Sequence, residues 1–267
     1  MNTILLEKTA SVAYITLNQP QLHNAFEPSM LEELLEAFHD IESSPHLRVL
    51  VLKAEGKSFS AGANLHWMQQ MKHYTLEENK QDARLLGKVM HALYTLKKPT
   101  LAVIQGPALG GGVGLAACCD IRICSTEAYF CLSETKLGLI PAVISPYVIN
   151  AMGENYARRY YLTAEKIDAF TAHRIGFVHE CVEPQALIHT EEELLGHLLQ
   201  NSPHALGEAK ALIEATSRSP INEALVEDTV KRIANIRISE EGQEGLAAFL
   251  EKRSPSWCQK SPTKRNS

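Results

Sequence analysis

The sequence predicts a mixed α/β fold in which stacked β-β-α turns surround one core and an all-helical region follows. Three observations carry this reading. A short apolar, β-branched run feeds a glycine-bearing loop and then a helix twice, at residues 48–71 and again at 100–119. Beyond Asn201-Ser-Pro203 the strand pattern stops and only helical periodicity continues. At 267 residues, 45% hydrophobic and 21% charged, the chain can bury a sizeable core and is too apolar for disorder.

Taken in order, residues 11–17 alternate as a strand that Asn18-Gln-Pro20 ends. Residues 28–41 carry Met30, Leu31, Leu34, Leu35 and Phe38 at helical spacing, with Glu32, Glu33 and Glu36 opposite. Residues 48–54 form a strand that empties into Glu55-Gly-Lys-Ser-Phe-Ser-Ala-Gly-Ala-Asn64, small enough for its backbone to approach a ligand. A helical stretch begins at Leu65, polar residues 72–78 read as mobile, and 79–96 read as a long helix with Leu85, Leu86, Val89, Met90 and Leu93 inward. The strand 100–104 leads into Gln105-Gly-Pro-Ala-Leu-Gly-Gly-Gly-Val-Gly114 and an Ala-rich helix. Short strands follow at 120–124 and 129–132. Helices then dominate, at 147–162, 164–169, 171–174, 185–199, 205–216 and 221–253, with one more strand at 176–182. The domain reading is therefore a core at 1–200, a helical region at 201–253 and a frayed Ser/Pro/Lys-rich tail at 254–267. Apolar positions such as Leu225, Val230, Ile233, Leu246 and Phe249 in the helical region need another surface to cover them.

Composition removes several classes of function. A net charge of −5 gives no basic footprint for nucleic acid or an anionic membrane. The first residues have no basic segment followed by a long apolar one, and no run approaches a spanning helix, so a cytoplasmic location is expected. Six cysteines show no C-x-x-C spacing; they read as reduced core thiols, and no metal site is expected. The Gly110–Gly114 run is followed by no Lys-Ser/Thr, which argues against a phosphate-binding loop. Ser58-Phe-Ser60-Ala-Gly62 lacks the first glycine of a nucleophile elbow and has no evident histidine.

The stretch from Gln105 to Asp120 organises the rest. Its glycines bring main-chain N–H groups to the start of a helix, where the dipole favours negative charge and an oxyanion can be held. A tight turn against a crowded core explains the same residues equally well.

Three segments together resemble the crotonase superfamily, the enoyl-CoA hydratase and isomerase group: Lys57-Ser-Phe-Ser-Ala-Gly-Ala-Asn-Leu65, Gln105 to Leu115 with Cys119-Asp120, and Phe130-Cys-Leu-Ser-Glu-Thr-Lys-Leu-Gly-Leu-Ile-Pro141. Asn18 to Ala25 and Glu244 to Arg253 agree with it, so the resemblance spans roughly residues 4–253. It implies a crotonase-like spiral of ββα repeats with a C-terminal trimerisation region, assembled as a homotrimer or homohexamer. It also implies an acyl-CoA substrate, with CoA entering as part of that substrate and no separate cofactor. The two oxyanion-hole N–H groups fall on Ala63 and Gly111, and the acid/base carboxylate falls on Glu134. The substrate surface implied by position comprises Ser60, Ala61, Ala63, Leu65, Gly110 and Gly111, with Lys252 reaching the CoA phosphates of a neighbouring subunit.

The departures from the family pattern matter as much. The family's second glutamate falls on Gly114, which suggests room for a branched acyl group. Segments 113–120 and 131–147 look most like bacterial methylglutaconyl-CoA hydratases, whose substrates carry a second carboxylate; His66, Arg84 and Lys136 are candidates to receive it. Asn64 replaces a commoner aspartate, and His66 and Trp67 are read as packing rather than lining the acyl pocket. The expected reaction is hydration of an enoyl-CoA by Glu134 acting as base and then acid. A single carboxylate suits double-bond isomerisation as well.

Overall fold

The computed structural model describes residues 2–258, and the part of the expected tail at 259–267 lies outside them. The chain divides into two units, one of 1–96 with 100–192, the other of 97–99 with everything from Glu193 onward. The division falls between Glu192 and Glu193, inside a helix, where the sequence reading places it at Asn201.

The first unit opens with β1 (Ile4–Lys8) and β2 (Val12–Leu17), an antiparallel pair. Sequence reading missed β1, whose burial alternates over only five residues. Helix α1 (Pro28–Ser43) starts with proline at its first position and buries Met30, Leu31, Leu34, Ala37, Phe38 and Ile41, the stripe that its periodicity requires. After β3 (Val49–Ala54) come α2 (Leu65–Met71) and α3 (Leu76–Thr95). Residues 75–78, read as part of a mobile stretch, instead form a capping box in which Thr75 N donates to Glu78 Oε2 (2.7 Å) and Glu78 N donates to Thr75 Oγ1 (3.3 Å).

Then follow β4 (Thr100–Ile104), β5 (Ala108–Leu109), α4 (Gly111–Ala117), β6 (Ile121–Ser125) and β7 (Tyr129–Cys131). Strand β4 is buried along its whole length, as parallel strands covered on both faces are. A 3₁₀ turn at Glu134–Leu137 precedes α5 (Ser145–Met152) and α6 (Glu154–Thr163), the single helix expected at 147–162 being broken at Gly153, which sits at φ +80°. Strand β8 (Ile167–Asp168), α7 (Ala169–Arg174), β9 (Glu180–Val182) and α8 (Leu187–Leu199) complete the run. The six-stranded sheet has the order β1-β2-β3-β4-β6-β9, parallel from β2 onward. A second sheet, β5-β7-β8, is made of the short strands that come after β4, β6 and α6.

In the second unit lie α9 (Pro203–Thr216), α10 (Glu223–Ile238) and α11 (Glu240–Leu250), the last two replacing one expected helix because Ser239 stops the first and caps the next through Gly242 N (3.1 Å). Glu241 accepts from Ser202 Oγ and from His204 N (3.0 Å), fixing the start of α9. The chain remains pinned past Arg253, where fraying was expected: Ser256 N donates to Glu244 Oε1 (2.7 Å) and Trp257 Nε1 to Gln200 O (3.1 Å). Apolar side chains of this unit stay exposed, Phe249 at 81% and Ile238 at 79% among them. Among the described residues no helix is long and apolar enough to cross a membrane.

Candidate active site

Two loops meet beside the 3₁₀ turn of Glu134. The first runs from β3 to α2. It makes a parallel bridge in which Gly62 O accepts from Phe26 N (2.6 Å) and Asn64 N donates to Phe26 O (2.9 Å). Residues 62 and 64 face Phe26, so the N–H of Ala63 between them points the other way, and among the described residues it has no acceptor. The second loop runs from β5 into α4. Gly111 is the first residue of that helix, so its N–H is one of the orphans that every helix start leaves, and it too has no acceptor among the described residues.

These donors lie close together because the loops touch. Ser60 bridges Ala108, and Leu109 N donates to Ser60 O (2.8 Å). Gly62, at φ +81°, packs so tightly that a methyl there would stand 2.9 Å from Leu109 O and 3.6 Å from Gly111 N. The arrangement is held from beneath by buried Asn24, whose Nδ2 donates to Glu55 O (2.8 Å) and Ser58 O (2.9 Å). Gln105 Nε2 reaches Ala54 O (3.0 Å), Gly56 O (3.0 Å) and Ser58 O (3.1 Å). His23 Nδ1 meets Ser58 Oγ at 3.0 Å, a pair that sequence reading missed because the residues lie on separate segments.

Glu134 stands over this junction. A methyl on Gly110 would lie 3.1 Å from its Oε1, so that oxygen sits against the glycine backbone. Its Oε2 is buried and makes no hydrogen bond. Burial raises the Glu134 pKa above the ordinary carboxylate range, opposed by a hydrogen bond from its own backbone. The site thus combines two unused backbone donors with one desolvated carboxylate.

The remaining expected residues scatter. Ala61 N is spent on His23 O (2.9 Å), and Leu65 stands exposed at the start of α2. Ser60, expected to face substrate, is fully buried; its hydroxyl donates to Asn24 O (2.8 Å) and accepts from Gly62 N (3.2 Å), so it serves the loop instead. Asn64 caps α2 through His66 N (2.7 Å), the structural contact that its departure from aspartate had put in question. Trp67 is buried and donates to Asp82 Oδ1 (2.8 Å), as packing requires, while His66 is exposed. Arg84 is exposed and paired with Glu77 at 3.1 Å, Lys136 is exposed, and Lys252 is exposed in the second unit at φ +56°.

Position 114 requires a correction. The space over Gly114 is not open for a branched acyl group: a methyl there would lie 2.1 Å from Ile144 Cγ2 and 2.6 Å from Ile144 Cβ. Ile144 is itself buried, so the place where a second carboxylate was expected is filled by hydrocarbon.

A fold of β-β-α turns with two unused backbone donors on touching loops and a half-buried acid beside them has the parts with which an enzyme can polarise a carbonyl and move a proton next to it. Comparison with known proteins names the group. The model of the enoyl-CoA hydratase/isomerase family matches residues 7–260. A short-chain-enoyl-CoA hydratase of Clostridium acetobutylicum is 33% identical over 95% of this chain and 96% of its own. The mitochondrial Delta(3,5)-Delta(2,4)-dienoyl-CoA isomerase of Dictyostelium discoideum is 30% identical over 94% of this chain and 89% of its own. The crystal structure of an enoyl-CoA hydratase from Shewanella pealeana superposes with a TM-score of 0.93 at 43% identity, covering 96% of each chain. The chain belongs to the enoyl-CoA hydratase/isomerase family.

Proposed function

We propose that this protein hydrates a short α,β-unsaturated acyl-CoA thioester, with Glu134 as base and acid and the Ala63 and Gly111 N–H groups as the oxyanion hole. The observation that carries the reading is the buried, unpartnered Oε2 of Glu134 on a carboxylate whose other oxygen lies against the donor-bearing loop. The thioester oxygen would accept from both N–H groups, which are fixed before any charge develops and so need no reorganisation when the enolate forms. Water would give its proton to Glu134 as its oxygen bonds the β-carbon. The same carboxyl would then return a proton to the α-carbon, restoring the thioester. The relative named as a short-chain hydratase supports the choice of reaction and acyl length.

A second reading, double-bond isomerisation, is favoured by one observation: Ile144 fills the space over Gly114, leaving a single carboxylate that could shuttle a proton between the α- and γ-carbons. For assembly we propose a homotrimer or homohexamer, supported by the exposed apolar side chains of α10 and α11, with Lys252 serving the CoA phosphates of a neighbouring subunit.

Loss of the conjugated thioester absorbance, followed with crotonyl-CoA, a longer straight-chain enoyl-CoA and 3-methylglutaconyl-CoA, tests the reaction and the acyl group together. Glu134→Gln is expected to lower kcat by about a hundredfold or more on the preferred ester. Because the reaction needs the carboxylate and burial raises its pKa, hydration should fall with acidification at a pH above the ordinary glutamate range. A Glu134→Gln variant as fast as the parent would remove the mechanism, and double-bond migration in place of hydration would establish the second reading.

A further inference from the structure

The two N–H groups read as an oxyanion hole lie on loops far apart in sequence, and both loops rest on one residue. Phe26 is buried between Asn24 and the start of α1. Its backbone serves the first loop: Phe26 N donates to Gly62 O (2.6 Å) and Phe26 O accepts from Asn64 N (2.9 Å), so both peptides of Ala63 are tied to it. The first of these peptides is the one that presents the Ala63 N–H. A trans peptide is a rigid plane with its C=O and N–H on opposite sides, so holding Gly62 O also fixes the direction in which Ala63 N–H points. The same bond polarises the amide, because a carbonyl that accepts makes the N–H of its own peptide a stronger donor.

The ring of Phe26 serves the second loop. A methyl on Gly111 would stand 2.8 Å from Phe26 Cε2, 3.0 Å from Cδ2 and 3.9 Å from Cζ, and these are the nearest atoms it would meet. Gly111 opens α4, a place where alanine is otherwise the better helix former, so the ring gives the reason for a glycine there. Across the junction the loops are equally close, a methyl on Gly62 standing 3.6 Å from Gly111 N. The backbone of Phe26 thus holds one donor peptide while its side chain lies against the residue that carries the other.

We propose that Phe26 is a positioning residue for both donors, its N–H aiming and polarising the peptide of Ala63 and its ring setting how far from that peptide the Gly111 N–H stands. The proposal rests on the oxyanion-hole reading given above. An oxygen that accepts from two N–H groups needs both at about 2.7–3.1 Å at once, so their spacing matters as much as either donor alone. Phe26 moves no proton and acts only through the two loops.

Full-length Phe26→Leu keeps the backbone bonds and shortens the side chain, and Phe38→Leu makes the same change at another buried phenylalanine, on α1. Each variant is read in two ways: by hydration of crotonyl-CoA, and by the carbonyl stretch of crotonyl-CoA labelled with ¹³C at C1 and bound in a Glu134→Gln background. Phe26→Leu should lower kcat about tenfold with KM within about twofold of the parent, and should return the stretch toward its value in buffer. Phe38→Leu should leave kcat and the stretch at parental values even where it lowers the melting temperature as much. Gly111→Ala should lower kcat about a hundredfold, and adding Phe26→Leu to it should recover about tenfold, because leucine has no atom in place of Cε2 or Cζ. Parental kcat and stretch in Phe26→Leu would overturn the inference, as would equal losses in Phe38→Leu or a double variant no faster than Gly111→Ala alone. A parental stretch no lower than in buffer would overturn the oxyanion-hole assignment and this inference together.

Discussion

The two loops that bring Ala63 and Gly111 together are held by opposite means. The first, 55–64, is fixed by side chains: Asn24, Gln105, Ser60 and His23 bond its backbone and its serines. The second, 105–112, is fixed by the lack of them. A methyl on Gly106 would lie 2.0 Å from Lys57 O, and one on Gly112 would lie 2.8 Å from Ser60 O. One loop is therefore sensitive to deletion of polar atoms and the other to addition of a single carbon. A site built from backbone donors needs both, since each N–H is placed only as accurately as its own loop.

This contrast breaks first at Gly106. Gly106→Ala should destabilise the protein by about 3 kcal/mol in chemical denaturation, because its methyl meets backbone that cannot rotate away. A loss below about 1 kcal/mol would mean that the second loop has slack. Next in size is Asn24→Ala, which removes the donor to Glu55 O and the acceptor for Gln19 N (2.8 Å) and leaves Ser58 O to Gln105 alone. About 2–3 kcal/mol is expected, with hydration impaired in whatever folds. The smallest and sharpest effect concerns Gly114 and Ile144. Gly114→Ala and Ile144→Ala should each destabilise, and the double variant should be more stable than the sum predicts by about 1 kcal/mol, since the second substitution removes the atoms that the first collides with. Additive losses would show that position 114 is crowded by something other than Ile144.

What the sequence discloses follows the same division. Buried parallel strands such as β3 and β4 and the striped face of α1 announce themselves, because their burial repeats with a period that a short window can register. The glycine-rich second loop is legible for a related reason: missing side chains are visible in the sequence itself. The supports of the first loop are not, since the bonds from Asn24 and Gln105 span 31 to 51 residues and leave no periodic trace. Ser60 illustrates the limit, because a small residue beside a ligand and a small residue buried beneath one read alike. The filling of the space over Gly114 was hidden for the same reason, Ile144 being 30 positions away, at the N-cap of α5. The breaks at Gly153 and Ser239 were missed because the apolar period continues through both.

The most direct measurement is the carbonyl stretch of crotonyl-CoA carrying ¹³C at C1, bound to the Glu134→Gln variant and observed by isotope-edited infrared difference spectroscopy. The variant keeps both backbone donors while slowing turnover, so the bound thioester persists long enough to be seen. Two hydrogen bonds from Ala63 and Gly111 should move the stretch to lower frequency than in buffer. A stretch at or above the buffer value would contradict the assignment of these two N–H groups as the oxyanion hole.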